Sequence, residues 1–261
     1  MTLEEIKSWN TKLKNPFKDL VFKEEGHEYY VKGQENRPIK SVSSLIKHFY
    51  EPFDADKVAP KYALDRGLEV EDVKLAWSGE GDIANKHGSN VHLIGEQYIK
   101  WKYFKEGERP YPIDKQSLGC FQFINDLPSY MIPVAVELQM YSDKHWYSGT
   151  TDFVILNTKT YKFIVADWKS NNTIVEKGYF KKPPLFHIDK KHKLVADNHG
   201  KYSTQFSFYD ILLEERGFEV EHRVLIHLSE NKNKKKLYTT YRTPDIKPCL
   251  KKWLNTKKHL T

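Results

Sequence analysis

The chain has 261 residues, of which 39% are hydrophobic and 30% charged, with a formal net charge of +7. Two widely separated cysteines, Cys120 and Cys249, exclude a disulfide framework, and no apolar run approaches the length of a membrane span. The basic balance, with an isoelectric point near 9.0, fits an acidic partner.

Residues 1–15 carry Leu3, Ile6, Trp9 and Leu13 at helical spacing among Glu4, Glu5 and several lysines. They contain neither an apolar signal core nor a cleavage site, so no signal peptide is expected, and with only two separated cysteines the expected setting is reducing and cytoplasmic. Residues 22–31 and 39–42 read as a small hairpin, and 43–49 as a helix capped by Ser43. A helical region with breaks runs over 55–77. A longer helix over 83–103 carries Val91, Ile94, Tyr98 and Trp101 near one face, with His92 and Glu96 as i, i+4 neighbours. Residues 117–127 form a further helix that ends near Pro128.

Three strands follow, bearing Glu137, Asp152 and Asp167. Phe153-Val154-Ile155-Leu156 and Phe163-Ile164-Val165 are rich in β-branched and aromatic residues, and Asn157-Thr158-Lys159-Thr160 supplies the turn between them. A hairpin then brings Asp152 and Asp167 into one site. Residues 177–201 form a long lysine-rich loop with Pro183-Pro184, expected to be functional and to cover the site. The helix over 203–215 puts Gln205 and Tyr209 on one face. Residues 223–228 and 237–241 make a terminal hairpin around a tip at 231–236, and 248–254 a closing helix. The expected fold is α/β, a mixed central β-sheet flanked by helices, in one domain. Within it, residues 1–80 are an N-terminal, mostly helical region, 81–228 the core, and 229–261 the C-terminal hairpin tip, strand and helix.

The tripeptide Asp167-Trp168-Lys169 closes an apolar strand, so two charges fall at the end of a core element, where an unpaired charge is costly. Side chains alternate along a strand, which sets Asp167 and Lys169 on the same face. Two aspartates and this lysine suit metal-assisted phosphodiester hydrolysis. Carboxylates hold a hard divalent cation through oxygen, and the cation polarises phosphate and lowers the pKa of a bound water.

These residues resemble the PD-(D/E)XK nuclease superfamily, and within it the RecB-like exonuclease branch that includes the mitochondrial genome maintenance exonuclease and related phage nucleases. Gly88-Ser89-Asn90-Val91-His92, with Glu96 after it, is similar to the helical G-x-x-x-H element of that branch. Glu137 resembles its strand glutamate. Gly149-Thr150-Thr151-Asp152 and Asp167-Trp168-Lys169 resemble its two acidic motifs, and Gln205-Phe206-Ser207-Phe208-Tyr209 its Q-x-x-x-Y motif. The blocks occur in the order the family requires, over roughly residues 39–228. Ser41-Val42-Ser43-Ser44-Leu45-Ile46 and Pro52-Phe53-Asp54 resemble the N-terminal part of the phage versions.

The resemblance implies a restriction-endonuclease-like core and a DNA exonuclease acting on single strands or duplex ends, with Mg2+ or Mn2+ as cofactor. Asp152, Asp167, His92 and the Trp168 carbonyl would be metal ligands, imidazole favouring Mn2+. Lys169 would orient or deprotonate the attacking water and stabilise charge on the phosphate. Glu137 would bind a second metal or hold Lys169. Gln205 and Tyr209 would contact the substrate strand or fix the site. Apart from the resemblance, the placement of the 177–201 loop after the strand of Asp167 leads to the expectation that Lys181 and Lys182 meet phosphates and Tyr179 stacks on bases. Some relatives carry a four-cysteine iron–sulfur cluster, which two cysteines exclude within one chain. Recombination or replication proteins are the expected protein partners, and no membrane partner is expected. A structure-selective or restriction-type endonuclease and a catalytically silent nucleic-acid-binding protein are the competing readings.

Overall fold

The computed structural model describes residues 1–23, 26, 28–50, 53–171, 173–174, 197–229 and 235–256. Helix α1 (Leu3–Lys14) opens the chain with a capping box between Thr2 and Glu5 and buries Ile6 and Leu13. Strands β1 (Leu20–Lys23) and β2 (Glu28–Val31) pair with each other, so the first hairpin closes within residues 20–31. Ile39 contributes one antiparallel bridge, to Tyr29. The two-residue β3 (Lys40–Ser41) runs into α2 (Val42–Ile46), whose N-cap is Ser41 and not Ser43, because the Ser41 hydroxyl accepts from the Ser44 amide.

Helices α3 (Ala55–Leu64) and α4 (Val70–Ile99) follow, and a π turn over Lys100–Phe104 prolongs α4. The break expected between 77 and 83 is absent. Gly79 and Gly81 lower helix propensity, but α4 continues through them as an exposed helix. Its N-terminal half and α3 enclose a small cluster of Ala59, Ala63 and Val73.

After α5 (Lys115–Asn125) come the long strands β4 (Met131–Ser142) and β5 (Tyr147–Asn157), then β6 (Lys162–Lys169). Helix α6 (Asn198–Glu214) precedes β7 (Val220–Leu228), β8 (Tyr238–Arg242) and α7 (Lys247–Asn255). The fold is mixed α/β. β5 lies antiparallel between β4 and β6, β6 is parallel to β7, and β8 closes the far edge antiparallel to β7. One apolar layer joins the sheet to α6, α2 and α7 through residues such as Val154, Val165, Phe208 and Leu212. The other joins it to α4 and α5 through Phe153, Ile164, Trp168, Val91 and Phe123. Period-two alternation explains the division, since neighbouring residues of β5 and β6 feed opposite layers.

Residues 197–201, expected in the long loop, are instead the N-cap and first turn of α6: the Asp197 carboxylate accepts from the Gly200 amide at 2.7 Å. The rest of that loop, with Tyr179, Lys181 and Lys182, and most of the 231–236 tip lie outside the described residues. Among the described residues, no helix is long and apolar enough to cross a membrane.

Candidate active site

The site grows out of a gap in the sheet. β4 accompanies β5 from Tyr147 to Asn157, whereas β6 pairs with it only over Phe153–Asn157 and β3 only at Tyr147 and Ser148. β3 and β6 therefore share the other edge of β5 and leave residues 149–152 open between them. Side chains of β5 take over the ladder there. The Thr151 hydroxyl donates to the Ala166 carbonyl at 3.2 Å, and Asp152 Oδ2 accepts from the Trp168 amide at 2.6 Å. These bonds satisfy backbone groups that the splay would orphan, and they fix Asp152 against β6.

Gly149 makes room for this arrangement. A Cβ there would stand 2.6 Å from Cε1 of Tyr209 and 3.0 Å from Cγ2 of Val42. Thr150 shares a 2.8 Å hydrogen bond with the Tyr29 hydroxyl. The block Gly149-Thr150-Thr151-Asp152 thus couples β5 to α6, β2 and β6 in turn.

Helix α4 forms the opposite wall. It comes close enough to the end of β6 that a Cβ on Gly88 would sit 2.9 Å from Ser170 Oγ. One turn later His92 Nδ1 reaches Asp152, 3.2 Å from Oδ2 and 3.3 Å from Oδ1. Gln116, buried on α5, holds the two walls together. Its amide nitrogen donates to the carbonyls of Ser170 (3.0 Å) and Leu228 (3.2 Å), and its oxygen accepts from His87 Nε2 at 2.9 Å. The cleft between the walls measures about 680 Å³ and is lined by Ser89, His92, Glu96, Glu137, Asp152 and Lys169, among others.

Lys169 forms an ion pair with Asp167, and its ammonium lies 4.6 Å from the centre of the Tyr202 ring. Tyr202 is held by a 2.6 Å hydrogen bond to Asn171, whose carbonyl meets His227 Nε2 at 2.6 Å. Tyr202, Asn171 and Gln116 are not singled out by the sequence, because they match no motif and acquire their roles only when β6, β7, α5 and α6 converge. Tyr209 lies beneath the site. It is 3% exposed, and its hydroxyl accepts from Gln205 at 2.7 Å, so it supports the carboxylates from below and does not face the cleft.

Glu137 is the one strand residue of the site that departs from extended backbone. Its φ of 46° is left-handed, a conformation that costs about 1–3 kcal/mol outside glycine. By register it faces Asp152, since Val136 pairs with Phe153 and Leu138 with Thr151. The twist turns its side chain into the cleft, where it is solvent-accessible but hemmed in by protein. Burial first, then Asp152 and Glu96, push its carboxyl up to about 8. Burial and Asp152 likewise push Asp167 up to about 6 despite Lys169. Asp152 goes the other way. Burial opposes its ionisation, but His92, Lys169 and the Trp168 amide together hold it below the usual carboxylate range. Despite burial, Asp152 keeps the His92 imidazole above its ordinary value, and Asp167 and Asp152 do the same for the Lys169 ammonium.

The site therefore holds Glu96, Glu137, Asp152 and Asp167 close enough to repel one another. That surplus of carboxylate oxygen, with one imidazole, is the donor chemistry of a hard divalent cation. Among the described residues no three His, Cys, Asp or Glu side chains stand in ready ligand geometry, since His92 is turned to Asp152 and Lys169 to Asp167. No protein-family model and no curated protein matches this chain.

Proposed function

We propose that the protein is a metal-dependent DNA nuclease with a restriction-endonuclease-like core, acting as an exonuclease on single strands or duplex ends. The observation that carries this reading is the meeting of His92, Asp152 and Lys169 in one open cleft, with Asp167 buried behind them on Lys169 and Glu137 turned in beside them. Asp152, Asp167, His92 and the Trp168 carbonyl would hold Mg2+ or Mn2+, with Glu137 at a second position or on Lys169. When bound, such an ion polarises the scissile phosphate and supplies a water of lowered pKa. The chain's own groups do the rest. Lys169, anchored between Asp167 and Tyr202, donates to the phosphate oxygen that gains charge or orients the attacking water. The Trp168 amide fixes Asp152 against β6. Gln205 and Tyr209 keep the floor rigid.

One observation favours a catalytically silent nucleic-acid-binding protein: Asp152 and Asp167 are already engaged, by His92 and Lys169. Incubating linear and circular single-stranded DNA with the protein, in Mg2+, Mn2+ and EDTA, separates the readings. Metal-dependent loss of linear DNA alone is expected. Cleavage of circles supports an endonuclease, and intact DNA in both metals overturns the nuclease reading.

A further inference from the structure

A second pocket, of about 350 Å³, lies on α1 and the turn after it, lined by Asn10, Thr11, Lys14, Asn15 and Lys18. Residues 6–18 contain four lysines and no acidic residue, and residues 100–105 three lysines and no acidic residue. The two segments are neighbours. Ile6 of α1 packs in one cluster with Val91, Ile94, Tyr98, Ile99 and Phe104, which places α1 against the C-terminal end of α4. Lys100 pairs at 2.5 Å with Glu96, which lines the catalytic cleft. Lys14 is exposed but crowded by protein on one side; this and then the nearby Lys100 lower its ammonium, against Glu106 and Glu96, which raise it. Glu96 and Glu137 line the same cleft, and the Lys100 partner of Glu96 is near Lys14 on α1.

The other end of the cleft has the opposite character. Residues 54–88, which include α3 and the N-terminal half of α4, carry eight acidic residues against five basic ones. A polyanion leaving the cleft is repelled by α3 and attracted toward α1. Asn10, whose buried amide oxygen has no hydrogen-bond partner among the described residues, adds a polar group that can pair with a nucleotide.

Resting on the nuclease reading, we propose that the basic pocket formed by Asn10, Lys14 and Lys18 next to Lys100 is the exit path of the substrate's phosphate chain, and that a single strand bound at the carboxylates leaves over α1. Lys14 and Lys18 are exposed, so Lys14→Glu/Lys18→Glu leaves the core intact. Binding is read by fluorescence anisotropy in EDTA, with a labelled single strand of about 16 nucleotides, the upper range of a tracked site. The double variant is expected to bind about tenfold more weakly. The slope of log K against log salt should be shallower by about 1.4, at roughly 0.7 per lost phosphate contact. Hydrolysis of a tetranucleotide, too short to reach α1, should proceed at the wild-type rate. Lys57→Glu/Lys61→Glu on α3 changes the net charge equally and should leave binding of the longer strand unaltered.

Unchanged affinity and slope in the α1 variant overturn the path, as does an equal loss in the α3 variant, which assigns the effect to bulk charge. Wild-type protein that cleaves neither oligonucleotide in Mg2+ or Mn2+ overturns the nuclease reading itself. Wild-type cleavage with an unaltered α1 variant overturns the path alone.

Discussion

Gly149→Ala tests whether the open edge of β5 is built around the Tyr209 ring. The new Cβ would lie 2.6 Å from Tyr209 Cε1, so the ring must withdraw by about 0.8 Å to reach the 3.4 Å at which ordinary contact begins. Tyr209 is 3% exposed and tied to Gln205, and Val42 on the other side is 1% exposed, so neither neighbour has free space. Overpacking of this kind costs about 1–3 kcal/mol, and the loss of glycine entropy in the unfolded chain returns about 0.4–1 kcal/mol. Net destabilisation of about 1–2 kcal/mol follows, or roughly 2–8 °C in Tm for a domain of this size. Urea denaturation monitored by tryptophan fluorescence measures it. A double-mutant cycle adds a positional readout. Combined with Gly149→Ala, Tyr209→Leu should relieve the clash more than Val42→Ala does, because 3.0 Å to Val42 is the milder contact. A neutral or stabilising Gly149→Ala, or equal relief from both second changes, would refute the packing.

Lys169→Ala should abolish cleavage while single-strand binding stays within about threefold, since the lysine acts on charge developing in the transition state; substantial residual turnover removes it from the mechanism. His92→Ala should lower activity far more in limiting Mn2+ than in excess, whereas an equal loss at every metal concentration assigns the histidine to packing. Arg223→Ala should destabilise the fold by about 1–3 kcal/mol in urea titration, because it leaves the fully buried Asp210 only the Lys247 ammonium, at 3.7 Å; a loss below about 0.5 kcal/mol contradicts that. Glu214 is opposed by burial yet held below its ordinary 4.5 by hydrogen bonds from Lys247 and Lys251. Its folded pKa lies below the unfolded one, so its stabilisation is present above about pH 4.5 and lost as pH falls through the folded value. Glu214→Gln should therefore flatten the acid limb of the stability–pH curve, and an unchanged limb argues against the pairing.

Local pattern is enough to place the hairpin of β5 and β6. β-branched and aromatic runs around Asn157-Thr158-Lys159-Thr160 fix two strands and their turn, and alternation then sets Asp167 and Lys169 on one face. The helix bearing His92 is legible from its 3.6-residue period, whereas α6, bearing Gln205 and Tyr209, is buried on nearly every side and shows only their i, i+4 spacing. Tertiary structure decides what periodicity does not encode. Residues 39–42 read as a hairpin partner of 22–31, yet it is the parallel pairing of the two-residue β3 with Tyr147 and Ser148 that leaves the edge of β5 open at Asp152. The left-handed Glu137 arises where β4 must turn a carboxylate into the cleft, and its sequence, flanked by apolar residues, reads as plain strand. Gln116, Tyr202 and Asn171 become site residues only through partners distant in sequence, such as Leu228 for Gln116, Lys169 for Tyr202 and His227 for Asn171. Charge count is a property of the chain, but the direction of the field across the cleft is not. The acidic α3 side and the basic α1 side oppose each other because α4 spans the whole cleft as one continuous helix, where glycine-lowered propensity at 79 and 81 reads as a break.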